Sequence, residues 1–137
     1  MTLLAMLAAA AAFTAAPCPG ETTLDTNACL AQQLDSANAE LQRYVMAARK
    51  RLTDGAGTDP SVLADFDKAE SAWAAYRKAE CDAVYDNWKA GTIRTAMDLS
   101  CQIELTSRHT HTVWSHWLTY MDSTPPILPE PVLPSPQ

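Results

Sequence analysis

Three observations predict an all-α chain folded as an antiparallel, up-down-up bundle of three helices. Apolar residues recur at alternating steps of three and four through long stretches, which is the signature of a helix face. Breaker segments at residues 54–59 and at Gly91 divide those stretches. No stretch of useful length alternates apolar and polar residues with the period of a strand. Long helices joined by short connections pack as antiparallel neighbours.

The elements follow in order. Residues 1–16 contain no charged side chain and are shorter than the ~20 residues that span a bilayer. They read as the apolar region of a signal peptide ending in small residues, without the basic segment that usually precedes one. The folded domain is expected over residues 17–123, opening with a polar, turn-rich arm. The first helix is predicted over residues 26–53, with Leu30, Leu34, Ala37, Leu41, Tyr44, Val45, Ala48 and Leu52 on one face. Asp25 or Asn27 is the expected cap, and Arg49, Lys50 and Arg51 sit at its negative end.

Asp59-Pro60 is a strong start signal for a second helix over residues 60–90, because Asp accepts from free amides and Pro fits the first turn. Gly91 ends it, and Thr92 is the expected cap of a third helix over residues 93–122. That helix carries two apolar rows, Met97-Cys101-Leu105-Arg108 and Leu99-Ile103-Trp114-Trp117-Leu118-Met121, so it should pack against both others. Six prolines among the fourteen residues 124–137 exclude helix and sheet there. This tail is expected to be disordered, extended and solvated, with docking into an aromatic groove as the alternative.

A domain of this size leaves a large share of its surface exposed, and crosslinks are a common remedy. The cysteines are even in number: Cys18, Cys29, Cys81 and Cys101. Cys81 lies 10 residues before Gly91 and Cys101 lies 10 after it. Equal offsets from a turn place residues of antiparallel helices at equal height. Cys29 and the arm bearing Cys18 reach the same end of the bundle. Four cysteines allow three connectivities and spacing does not choose among them. The preferred set joins Cys18 to Cys29 and Cys81 to Cys101. No C-x-x-C spacing points to zinc. Disulfides and a leader together imply the periplasm or secretion. Pro17 and Ala15 fit a lipoprotein signal at Cys18 badly, so a soluble form is preferred over a lipid anchor.

The formal net charge is −6, and every charged residue follows residue 20. An acidic domain is a poor partner for nucleic acid and a better one for a basic protein. No phosphate loop, HExxH or GxSxG motif occurs, so catalytic residues are predicted to be absent and no cofactor is implied. No apolar run after residue 20 is long enough to span a membrane.

Cys18 and Cys29 are followed by the apolar face of the first helix, then by Trp73-x-x-Tyr76-Arg77-x-x-x-Cys81, then by Cys101-x-x-x-Leu105-Thr106-x-Arg108. In this combination the sequence resembles the LprI-like family of lysozyme inhibitors, a domain of bacterial envelope proteins, over about residues 18–118. Where such proteins often carry Gly-Gly-Ser between the last two cysteines, this chain has Ala90-Gly91-Thr92. The resemblance implies a non-enzymatic inhibitor whose partner is a basic secreted hydrolase such as lysozyme.

Trp73, Arg77 and Cys81 step by four along one stripe, so Arg77 should be partly buried. Glu104 or Glu40 is its expected partner, and Glu70 is the candidate for Arg108. The motif residues Trp73, Tyr76, Arg77, Leu105, Thr106 and Arg108 are read as structural. Trp88, Lys89 and Arg94, an aromatic and two cations around the second turn, are the candidates for partner binding. Two alternatives stand beside inhibition. His109, His111 and His116 suggest envelope metal binding, but they lack the i,i+4 pairing of helical zinc sites and read as solvated. The aromatic run at residues 113–121 suggests an interaction module, but it reads first as core, and a monomer is expected.

Overall fold

The computed structural model describes residues 18–55 and 57–133. The leader read into residues 1–16 lies outside the described residues. Three α-helices follow one another: α1 (Thr23–Asp54), α2 (Pro60–Asn87) and α3 (Arg94–Val113). A single π-helical turn, Trp114–Leu118, continues α3.

Cross-helix contacts fix the directions. Asn38 and Arg49 of α1 meet Arg77 and Asp67 of α2, so these two helices run antiparallel. Cys81, Arg77 and Glu70 of α2 meet Cys101, Thr106 and His109 in turn, so α3 is antiparallel to α2. The chain is an all-α, up-down-up bundle.

The helix boundaries differ from expectation by a few residues, for local reasons. α1 starts at Thr23 because the Thr22 hydroxyl accepts from the Asp25 amide at 3.1 Å, making Thr22 the cap in place of Asp25 or Asn27. Asp59 caps α2 as predicted, accepting from the Ser61 amide at 2.9 Å. Gly57 lies between them with φ of 84°, the left-handed region in which glycine carries no steric penalty. α2 ends at Asn87 rather than 90. Thr92 does not cap α3; the cap position is Ile93, without a side-chain bond.

The predicted face of α1 points inward, with Leu30, Leu41, Tyr44 and Ala48 buried. Leu41, Tyr44 and Ala48 cluster with Phe66, Val113 and Leu118, and Trp117 stacks edge-on against Phe66 at 5.2 Å. On α3 the deepest stripe is Thr106, Thr110 and Val113, and neither Arg108 nor Met121 joins the core. The two threonine hydroxyls donate to the carbonyls one turn back, Gln102 at 2.6 Å and Thr106 at 2.9 Å. Each buried hydroxyl proton is thereby satisfied within α3, which leaves the Thr106 oxygen free to accept from another helix.

α3 gives way to the π-turn and extended backbone at Thr119, short of the predicted residue 122. Arg51, at the end of α1, closes this end of the bundle. Its guanidinium donates to the carbonyls of Trp117 and Thr119, and lies 4.4 Å from the Tyr120 ring centre.

The expectation of a disordered, solvated tail is corrected over residues 124–133. The chain reverses and lies along α1 and α3. The Ile127 amide donates to the Leu118 carbonyl at 2.9 Å. Trp114 Nε1 donates to the Leu128 carbonyl at 3.0 Å, and the Tyr44 hydroxyl donates to the Pro129 carbonyl at 2.7 Å. Leu128 packs on the core and Pro131 is buried. Proline prevents helix and sheet, but it leaves carbonyls that side-chain donors can take up. Residues 134–137 lie outside the described residues.

Both preferred disulfides are present, Cys18–Cys29 and Cys81–Cys101. The second closes a sequence separation of 20 and ties two helices. Its removal by a double Ser substitution should cost ~3 kcal/mol in the chain-entropy picture. That corresponds to roughly 10–20 °C in Tm for a domain of this size. The same change at Cys18 and Cys29 should cost less, because that bridge only pins an arm to the first turns of α1; calorimetry of the two variants checks the order.

The cap at Asp59 gives a pH signature. Hydrogen bonding from Ser61 holds its carboxyl below the ordinary value of 3.8. A carboxyl lowered in the folded state adds stability above its unfolded pKa and loses it as pH falls through the folded value. Asp59→Ala should therefore lower Tm at neutral pH and lower it less below pH 3.8, as read by thermal melts across that range.

Candidate functional site

The motif residues form a polar seam through the middle of the bundle. Arg77, half-buried, donates from one nitrogen to Asn38 Oδ1 at 2.8 Å and to Thr106 Oγ1 at 2.7 Å. Its guanidinium carbon lies 5.0 Å from the centre of the Trp73 ring. The predicted carboxylate partner, Glu104 or Glu40, is not used. Neutral oxygens from α1 and α3 take that place, and burial pushes the guanidinium below its ordinary pKa.

Glu104 instead pairs with Arg108 at 3.0 Å on an exposed face, so Arg108 does not meet Glu70. Glu70 is bound by His109 Nε2, at 2.9 and 3.0 Å to its two oxygens, and the His109 ring stacks on Trp73 at 4.0 Å. His109 is thus mostly buried, contrary to the solvated reading. Trp73, Arg77 and Thr106 of the motif all lie in this seam. Leu105 is partly buried beside it, and Tyr76 is exposed. His111 meets Glu130 of the tail at 3.0 Å. Among the described residues no group of three or more His, Cys, Asp or Glu is placed to hold a metal ion.

The end of the bundle that carries both disulfides presents a different surface. There α2 unwinds at Trp88 and the chain turns through residues 88–93 into α3. Trp88 and Ile93 are exposed to 39% and 43%, and Tyr85 flanks them. Arg94 donates to the Lys89 carbonyl at 3.0 Å and lies 5.8 Å from the Tyr85 ring centre, so its charge is held against the turn. Among the described residues no carboxylate is within ion-pair distance of Lys89 or Arg94. The start of α1 contributes Thr23, Leu24 and Asn27 to an open groove of about 490 Å³ shared with Ala90, Gly91, Thr92, Arg94 and Thr95. The structure therefore brings Trp88, Lys89 and Arg94 together. It adds Tyr85, Ile93 and Leu24, which sequence reading passed over because an apolar residue at a helix end carries no mark of exposure.

Residues 14–112 match the family described as "Lysozyme inhibitor LprI". The chain belongs to the LprI family. An uncharacterized protein of Rhizobium meliloti (strain 1021) is a relative of this LprI-family chain, 31% identical over 94 residues that span 64% of the chain and 68% of the relative. No solved structure matches. The LprI match takes in both disulfides and the polar seam, and stops before the π-turn and the docked tail.

Arg77 touches all three helices, so its loss should be felt globally. Arg77→Ala should lower stability by about 1–3 kcal/mol, the cost of stranding buried polar partners. Arg77→Lys should recover only part of it, since an ammonium lacks the planar fork. Urea unfolding of the two variants checks this, and wild-type stability in Arg77→Ala would contradict a structural seam.

Proposed function

We propose that this protein is an exported inhibitor of lysozyme or a related cell-wall hydrolase and acts by binding the enzyme through the disulfide-bearing end of its bundle. The observation that carries the reading is the family match over residues 14–112. Family membership in an inhibitor family accords with a non-catalytic role. Two disulfides with no free cysteine among the described residues suit an oxidising compartment such as the periplasm or the exterior. Among the described residues no helix is long and apolar enough to cross a membrane.

The physical support lies in the charge arrangement. Enzymes of this class work with two carboxylates flanking the scissile bond. A protein of net charge −6 is drawn to a basic enzyme surface, yet it offers two unpaired cations beside an exposed indole at one end. Cations that enter a carboxylate cleft while the acidic body faces the basic rim give complementarity on both counts. The Cys81–Cys101 bridge limits the conformational freedom of the turn, and pre-ordering reduces the entropy lost on binding.

In a cell-wall turbidity assay, the mature protein should protect the wall from lysozyme at nanomolar concentration. Absence of protection at large excess removes the reading for that lysozyme type. Trp88→Ala should weaken inhibition roughly 30-fold, the scale of a central aromatic anchor. Arg94→Glu should weaken it further, because it replaces the cation in the cleft by a like charge. Both variants should keep the wild-type Tm, because Trp88 and Arg94 lie outside the core.

A further inference from the structure

The tail of this chain sits in its groove the way an extended peptide sits in a receptor. From Ile127 to Glu130 it advances three residues, bending at Ile127 and Leu128. Over the same run its partners step from Leu118 through Trp114 to His111, seven residues, about 10 Å of helix. The tail thus runs back along the π-turn and α3, with a contact at each step. The two central contacts are made by an indole N–H and a phenol O–H, both directed at backbone carbonyls. Aromatic donors on the backbone carbonyls of a proline-rich segment, here those of Leu128 and Pro129, are the recurrent chemistry of proline-rich peptide recognition.

We infer that the groove between α1 and α3, built on Tyr44, Trp114 and His111, is a binding site for proline-rich peptides that the chain's own residues 124–133 occupy in cis. The tail is a displaceable plug. Leu128 is partly buried against the core and Pro131 is buried, while Ile127, Val132 and Leu133 remain exposed at 40–48%. Both disulfides lie outside the tail, so nothing covalent retains it beyond the chain itself. The family match stops at residue 112, so the plug is not among the features by which the family is recognised.

The test uses the full-length chain and a synthetic peptide of residues 123–137. Leu128→Asp removes the tail's apolar anchor and leaves the groove donors in place. A cis occupant acts at roughly millimolar effective concentration, so the wild-type chain should bind added peptide only weakly. The Leu128→Asp chain should bind it at least tenfold more tightly, with a shift of the Trp114 indole N–H resonance, and a peptide carrying the same Asp should lose that affinity. Equal affinity of the two chains, with both folded and oxidised, overturns the proposal. Should the variant fail to fold, hydrogen exchange in the wild-type chain decides. The Ile127 amide should exchange at least a hundredfold faster than the slowest amides of α1 and α3. Exchange at the rate of those amides would mean that the tail leaves only on global unfolding, and the proposal would fall.

Discussion

Three helices meet at one guanidinium. Arg77 projects from α2 between α1 and α3, and its hydrogen bonds reach Asn38 on one and Thr106 on the other. The indole of Trp73 lies against it within α2, and His109 of α3 stacks on the same indole. A half-buried cation cannot be left without acceptors, so sliding any helix by one turn would strand it. The contact therefore helps to fix the register of the bundle beside its apolar packing, which tolerates exchange among residues of similar volume. Absence of a carboxylate is consistent with that role. Neutral acceptors satisfy the donors directionally, and only one charge then has to be desolvated.

The close approach of α3 follows from the same region. Thr106 and Thr110 are small at the backbone and return their hydroxyls to their own helix, so α3 seats deeply against both neighbours. At one end the two disulfides restrict the chain. At the other, Arg51 takes up the free carbonyls of the π-turn and the tail covers the seam between α1 and α3. The protein is braced covalently at the end with exposed cations and noncovalently at the end with the plug.

The helical periodicity, the two breaks and the Asp59-Pro60 start were legible because they are local: backbone preference and apolar spacing act over a few residues. The α1 face and the shared height of the cysteines follow from that regularity, whereas their pairing, preferred among three connectivities, is decided by the folded chain. The candidate cluster of Trp88, Lys89 and Arg94 was legible for the same reason, being contiguous around one turn. The seam was only half legible. Trp73, Arg77 and Thr106 stood out by type and spacing, but Asn38 and the Glu70–His109 pair did not, since nothing in a sequence says which of many carboxylates and amides will face a given cation across a helix interface.

By itself, then, the order of residues determined the class of fold, the number and sense of the helices, the common height of the cysteines and the net acidity, all of which arise from short-range geometry and composition. Tertiary structure alone decided who satisfies Arg77, that threonines line the deepest stripe, and that a proline-rich tail is docked. Each of those outcomes depends on the distance between groups remote in sequence, and a chain sets such distances only once its helices have packed. The tail shows this most plainly: proline content excludes regular structure, but whether an irregular segment is solvated or seated depends on donors such as Tyr44 and Trp114 that another part of the molecule supplies.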